Sequence, residues 1–496
     1  VGVLFLNEHV FYKQHVTPHP DLPRRPIQGG KENFSEEHRV FIVAGVKSSE
    51  GKTTVTLGLM EAMRRRGLIV APFKAGPDYI DPGLHSLALK RPSYNLDTWM
   101  MGEGGVKNTF AAHAFGADAA VVEGVMGLFD GRARDKKDTK DRCDGSTASL
   151  ARALGLPVIL VIDSPGMAES AVAIAKGFAE YDPCVKVAGV IFNRVASERH
   201  RALIEKAAGR LKDIAVLGFL PKNDSLKLPS RHLGLLIAED LAGGEWKKFL
   251  RGASTLVERH VDVTGLLKIS RAASKNFFRR NKPPKPRALP EDSVKIAVAR
   301  DNAFCFYYEE NLDILRQLGA KVVYFSPASD WDLPEGVSGL YIGGGYPELH
   351  AKRLAKNSSM RKAVKRAVSS GMPVLAECGG LQYLAKKLVD MDGNSFDMAG
   401  VYPFSTRMLK KRKALGYREV ETSKACPFLS RGNRVRGHEF HYSEIFGRKS
   451  GLEKAFETDD GFLHKNALSS YAHLHFASNP AFAEGFIKAC RVYGGG

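Results

Sequence analysis

Cysteine is scarce in this chain: six in 496 residues (Cys143, Cys184, Cys305, Cys378, Cys426 and Cys490), with no CxxC pair and no zinc-ligand spacing. A disulfide framework and a structural zinc site are excluded as organising devices, and a reducing cytoplasm is the expected compartment. Long apolar runs are missing too. The longest are strand-sized, such as Ala119 to Val122 and Val158 to Ile162. These fall far short of the roughly 20 residues a membrane helix needs, so a soluble chain with no membrane partner is expected. Val1 to Tyr12 lack a basic n-region and a small-residue cleavage site, so no signal peptide is expected. Opening on Val rather than Met, the chain reads as a fragment or as one with a misassigned start. Acidic residues are in deficit, 54 against 73 Lys plus Arg, giving a net charge of +19. That balance admits nucleic acid, an anionic surface or a polyanionic small molecule, and by itself selects none. With 44% hydrophobic, 26% charged and 9% aromatic residues, wholesale disorder is excluded.

What is present is an alternation of buried-strand patterns with helix-length segments. Val40 to Ala44, Ile69 to Phe73, Ala119 to Val122, Val158 to Ile162, Val187 to Phe192 and Ala215 to Leu220 read as strands. The spacers between them are long enough for helices, such as Thr53 to Arg66, which argues a parallel α/β sheet. The pattern resumes at Lys295 to Ala299, Lys321 to Phe325, Gly339 to Ile342 and Pro373 to Ala376, with helices expected at Glu309 to Leu318 and Met360 to Ser370. Between the two segments, Arg271 to Pro290 carries seven basic residues, four prolines and no acid, the composition of a linker. The expected organisation is an irregular extension at 1–38, an α/β domain at 39–270, a basic Pro-rich tether at 271–293 and a second α/β domain at 294–496. The tether is read as a solvated spacer with no specific nucleic-acid role.

Directly after the first strand stands Gly45-Val-Lys-Ser-Ser-Glu-Gly51-Lys52-Thr53-Thr54, a full GxxxxGKT pattern in strand, loop, helix context. The backbone N–H groups of such a loop converge on phosphate oxygens, Lys52 adds a point charge, and the Thr53 hydroxyl can ligate Mg²⁺. A nucleotide site with ATP and Mg²⁺ is therefore expected. Acidic residues follow at the strand ends where an α/β sheet collects its ligands: Asp78 and Asp81 after the second strand, Glu123 and Asp130 after the third. Of these, Glu123 closes an apolar strand beside the loop and is the expected metal holder together with Thr53. Lys47, five residues before Lys52, resembles the extra lysine of partitioning-type ATPases, a non-enzymatic alternative. Ser48 and Ser49 stand where that pattern has glycines.

In the second segment, the strand ending at Ala376 runs into Glu377-Cys378-Gly379-Gly380. A cysteine on a tight strand-to-helix turn is presented for attack, and the helix N-terminus is expected to lower its pKa toward thiolate. Gly343-Gly344-Gly345 after another strand offers oxyanion donors, with Gly344 and Gly379 the expected pair, and Tyr471-Ala-His473-Leu-His475 offers a base. Each element is weak alone, since a lone cysteine is more often a small buried hydrophobe. Together, in this order, they describe a cysteine acyl-transfer site.

These residues carry a resemblance. The second segment is similar to the class I glutamine amidotransferase domain, and Val40 to Tyr493 resembles the cobyrinic acid a,c-diamide synthase family. The similarity runs through FKAGPDYIDPGLH, VVEGVMGLFDG, GSTASLA, GVIFNRV, LPSRHLGL, YIGGGYPELHA, VLAECGGLQYL and SSYAHLHFASNP. It implies a dethiobiotin-synthetase-like P-loop domain joined to an amidotransferase domain, with Asp78, Glu123 and Asp130 in the synthetase site, Cys378 as nucleophile and His473 as base. Most class I amidotransferases carry Glu two residues past that His; here the position is His475, so a Cys-His dyad is the expectation. The implied reaction is ATP- and glutamine-dependent amidation of the a and c acetates of a corrin. The same step on nickel sirohydrochlorin is the alternative, and cobyric acid synthase a more distant one. The oligomeric state, a homodimer included, is left open.

Overall fold

The computed structural model describes residues 38–132, 144–226, 243–283, 293–448, 451–458 and 460–495. The extension at 1–37, the LPSRHLGL stretch and Cys143 lie outside them. The chain separates into two compact units, Val1–Pro284 and Lys285–Gly496.

The first unit is built on seven strands: β1 (Arg39–Gly45), β2 (Val70–Ala75), β3 (Tyr94–Leu96), β4 (Ala119–Glu123), β5 (Val158–Asp163), β6 (Val187–Val195) and β7 (Ala215–Pro221). Their order is β3-β2-β4-β1-β5-β6-β7, and every pairing is parallel. Strands covered on both faces read as near-continuous apolar runs, and Val40 to Gly45 and Val70 to Ala75 are buried without interruption, Lys74 being the one charged residue among them. Among the described residues its helices are α1 (Lys52–Arg65), α2 (Ile80–Leu89), α3 (Thr98–Ala114), α4 (Thr147–Leu154), α5 (Glu169–Tyr181), α6 (Glu198–Ala208), α7 (Gly244–His260) and α8 (Val263–Arg280). The chain leaves β1 for β2 on one side and reaches β5 on the other. Sheets of this kind collect ligands at the carboxyl ends of strands beside such a switch point.

The tether expected from Arg271 is corrected here, because its first ten residues complete α8. Ser274 Oγ donates to the carbonyl of His38 at 2.5 Å, the His38 ring lies 4.8 Å from that of Phe278, and Phe277 meets Phe110 edge-on at 5.0 Å. Arg271, Lys275, Arg279 and Arg280 lie on a helix whose apolar side is anchored to the β1 entrance, so net composition hid an amphipathic pattern. Phe278 is buried. Phe278→Ala is accordingly expected to destabilise the first unit by about 3 kcal/mol, seen as a lowered midpoint in chemical denaturation; a free tether would give no change.

In the second unit the strands are β8 (Val294–Ala299), β9 (Ala320–Phe325), β10 (Gly339–Ile342), β11 (Val374–Glu377), β12 (Lys387–Val389), β13 (Ser395–Asp397), β14 (Ser405–Met408), β15 (Ala414–Glu421), β16 (Arg434–His441), β17 (Ser443–Phe446), β18 (Phe462–His464), β19 (Ala467–Ser470) and β20 (His473–Leu474). The central sheet runs β18-β19-β11-β10-β8-β9, parallel except for the antiparallel β18 edge. Helices α9 (Glu309–Gln317), α10 (Ala351–Lys356), α11 (Ser358–Ser369), α12 (Gly379–Leu384) and α13 (Pro480–Gly494) complete it. Two smaller sheets, β13-β12-β14-β17 and β15-β16-β20, follow the nucleophile turn. The long β15–β16 pair is polar and half-exposed, and therefore showed no buried-strand signature. No helix among the described residues is long and apolar enough to cross a membrane.

Candidate active sites

At the head of β1 the loop closes tightly. Gly51 adopts φ +83°, and a Cβ there would stand 2.4 Å from Asn193 Nδ2, so glycine is required on both counts. A Cβ on Gly45 would press on Glu50, Lys47 and Lys52 at 3.0 to 3.1 Å. Lys52 is buried and its amine donates to the carbonyls of Met126 (2.5 Å) and Lys47 (3.1 Å). Burial and then the Lys74 charge push its pKa down, against Glu123 and Asp81. Thr54, the next position on α1 after Thr53, is half-buried, and the Lys47 side chain is exposed.

Parallel register sets the acidic centre, because Lys74 on β2 pairs with Glu123 on β4. Glu123 is fully buried. Its Oε1 accepts from the Thr53 hydroxyl at 2.7 Å and stands 3.5 Å from Lys74 Nζ, while Oε2 meets His85 Nε2 at 2.7 Å. Burial opposes its ionisation, but Lys74, His85 and Thr53 outweigh burial and hold the carboxyl well below the usual range. Lys74 Nζ also reaches Asp81 Oδ2 at 2.5 Å and the Gly124 carbonyl at 3.1 Å, and Asp78 Oδ2 lies 3.6 Å away. Despite burial, these carboxylates keep the Lys74 amine charged. Asp78 has a second task, accepting the N–H groups of Ile80 (2.8 Å) and Asp81 (3.3 Å) at the start of α2. Asp130 is exposed on the loop after β4, where it accepts the Gly127 N–H at 3.0 Å.

Lys74 and His85 were not singled out from the sequence. The signal was there in Lys74, a charged residue inside an otherwise apolar strand, whose burial demands partners. As to Mg²⁺, Thr53 Oγ1, Glu123 Oε1 and Asp81 Oδ1 (3.4 Å from the Thr53 hydroxyl) form a set of hard oxygens of the type that ion takes. No group of three or more His, Cys, Asp or Glu among the described residues makes a self-sufficient metal site.

In the second unit, Cys378 joins β11 to α12 with φ +48°, a left-handed conformation strained for any residue but glycine. Its N–H donates to the Ser470 carbonyl at 2.8 Å, fixing the turn to β19. The expectation of a lowered thiol pKa is corrected. Cys378 is only 6% exposed, and burial, then the Glu348 and Glu439 charges, push its pKa up against the Gly379 N–H. At rest it is a thiol and needs a base.

His473 is the candidate. A Cβ on Gly344 would stand 2.4 Å from His473 Cε1 and 3.2 Å from Nε2, and a Cβ on Gly379 would stand 3.2 Å from Gly345 N. The glycine loop thus lies against both the His473 ring and the Cys378–Gly379 turn. The expected oxyanion donor Gly344 is corrected by one residue: its N–H donates to the Phe306 carbonyl at 3.2 Å in a β-bridge, whereas Gly345 N faces the Gly379 turn. Gly344→Ala is expected to displace His473 and cut glutamine-dependent activity on the order of 10²-fold, with ammonium-dependent activity unchanged. Steady-state rates with each nitrogen source check this.

His475 is fully buried, packs on Tyr308 at 4.6 Å, and makes no ring-nitrogen hydrogen bond among the described residues. Burial lowers its pKa to about 4, so it is a neutral filler in the position where a carboxylate was sought.

Both halves match known families. Residues 41–236 match the CobQ/CobB/MinD/ParA nucleotide binding domain, and residues 295–481 the CobB/CobQ-like glutamine amidotransferase domain. The chain is 42% identical to the cobyrinate a,c-diamide synthase of Caldanaerobacter subterraneus subsp. tengcongensis over 465 residues, covering 92% of this chain and 99% of that one. The enzymes of the same name from Thermoplasma volcanium (42%, covering 91% and 97%) and Priestia megaterium (39%, covering 92% and 98%) are similar over nearly the same span. The chain belongs to the cobyrinate a,c-diamide synthase family.

Proposed function

We propose that this protein converts the a and c acetate carboxylates of cobyrinic acid into amides, using ATP for activation and glutamine as nitrogen donor. The observation that carries the reading is the presence on one chain of the Thr53–Glu123–Lys74 centre beside a P-loop and of Cys378 on a strained turn that abuts the glycine loop against which His473 lies.

In the amidotransferase unit, His473 Nε2 takes the Cys378 proton as Sγ bonds the glutamine side-chain carbonyl carbon. The oxyanion is met by the Gly345 and Gly379 N–H groups. Return of the proton to nitrogen breaks the C–N bond and releases ammonia, and water then frees glutamate from the thioester. In the synthetase unit, a carboxylate oxygen of the substrate attacks the γ-phosphorus of ATP, ADP leaves, and ammonia displaces phosphate from the acyl phosphate. Lys52 and the loop N–H groups bear the phosphate charge. Thr53 and Glu123 would hold Mg²⁺, which would neutralise phosphate charge when bound. Lys74, kept charged among Asp78, Asp81 and Glu123, orients those carboxylates at the rim. A reducing cytoplasm suits the free Cys378 thiol.

The test is mass analysis of product after incubation of the protein with ATP, Mg²⁺, glutamine and cobyrinic acid. Two amides are expected, with one ADP and one glutamate formed per amide. Amidation of nickel sirohydrochlorin in preference to cobyrinic acid would reassign the substrate.

A further inference from the structure

Two residues past His473, where most class I amidotransferases carry Glu, stands the buried His475. The geometry points to Glu377, the residue immediately before the nucleophile, as the positioning residue that orients His473 and faces the imidazolium when it takes the Cys378 proton. This rests on the amidotransferase reading of the second unit.

Glu377 ends β11 beside Ser470 of β19, and its carboxylate is buried. Oε1 accepts the Leu474 N–H at 2.9 Å, and Oε2 accepts the Tyr341 hydroxyl at 2.8 Å. These two donors aim the carboxylate at the strand that carries His473. Oε2 stands 3.9 Å from His473 Nδ1. A carboxylate oxygen accepts two hydrogen bonds, so Oε2 retains capacity for the Nδ1 proton. The distance is longer than a hydrogen bond, as is common before substrate closes such a site. With Nδ1 turned toward Glu377, the Nε2 edge of the ring lies against Gly344, where the Cys378–Gly379 turn abuts. One carboxylate thereby selects the tautomer whose Nε2 accepts the thiol proton.

Other groups face the pair. His438 stacks on His473 at 4.9 Å, His441 and Glu439 act on it from β16, and Tyr307 and Tyr341 border Glu377. Glu439 is already engaged by His441 Nε2 at 2.6 Å and by Arg418 at 2.5 Å. Burial lifts the Glu377 carboxyl to about 8, against its two donors, and lowers His473 to about 3. Each shift reflects burial of a lone charge, and formation of the imidazolium–carboxylate pair offsets both.

The variants are Glu377→Gln and Glu377→Asp in the full chain, assayed with glutamine and with ammonium chloride from pH 6 to 9. If Glu377 orients through its charge, Asp keeps more glutamine-dependent activity than Gln, although Gln is the closer isostere. The expected loss for Gln is on the order of 10²-fold or more, with ammonium-dependent rates unchanged. The wild-type rate should rise with pH through the Glu377 ionisation, and Glu377→Gln should lack that limb. Gln equal to or above Asp, or a wild-type pH profile in Glu377→Gln, overturns the inference. Cys378→Ala run alongside separates the two readings: if it still uses glutamine the amidotransferase assignment itself fails, whereas normal behaviour there with an unaffected Glu377→Gln removes only the role of Glu377.

Discussion

Cys378→Ala is expected to abolish amidation from glutamine, by on the order of 10⁴-fold or more, while leaving amidation from high ammonium near the wild-type rate. The size follows from covalency: no other group can form the thioester, and nothing else at this turn is a nucleophile. The selectivity follows from the division into two units. Cys378 stands between β11 and α12 of the second unit, whereas Lys52, Thr53 and Glu123 lie in the first. Alanine suits the turn poorly at φ +48°, but no worse than cysteine, and the anchoring N–H to Ser470 is a backbone bond that survives the change. His473→Ala should show the same rescue by ammonium. His475→Ala should lose much less, since that ring holds a neutral place against Tyr308. Retained glutamine use by Cys378→Ala would remove the nucleophile assignment. Loss of both activities would mean that the residue serves the fold.

The parts legible in the sequence were those whose physics is local. A strand buried on both faces must be an apolar run, so all ten strands expected from such runs are present, from Val40 to Pro373. A phosphate loop is spelled by glycines that tolerate positive φ and close approach, as Gly51 beside Asn193 shows. What stayed hidden depends on register and on partners distant in sequence. Lys74 becomes meaningful only when β2 lies beside β4 and brings it to Glu123. Glu377 read as part of a cysteine motif until β19 and β20 brought His473 back against it. The three-residue strand β3 is too short to show a period, and β15–β16 is too polar to look buried. At Arg271 to Arg280, composition and periodicity disagreed, and the apolar face of Phe277 and Phe278 decided. The oxyanion expectation missed by one residue because successive N–H groups point to opposite sides, and the Phe306 bridge consumes that of Gly344.

Lys52→Ala is expected to abolish amidation from both nitrogen sources, by roughly 10³-fold, while glutamine hydrolysis in the second unit persists. The reasoning starts from the loop, where Lys52 is the point charge at the head of α1 with its amine beside the Met126 and Lys47 carbonyls. Lys74 cannot take its place: its amine is committed to Asp81, Glu123 and Gly124. Lys52→Arg should restore little, because a planar fork does not fit where a compact ammonium reaches one carbonyl of its own loop and one of the loop after β4. The two-unit arrangement makes the result diagnostic. Glutamate release without ATP should match wild type, ADP formation should vanish, and ammonium should not rescue, the reverse of the Cys378→Ala pattern in every column. Near-normal amide formation from ammonium by Lys52→Ala would mean that the substrate carboxylate is activated without this loop, and the acyl-phosphate route would fall.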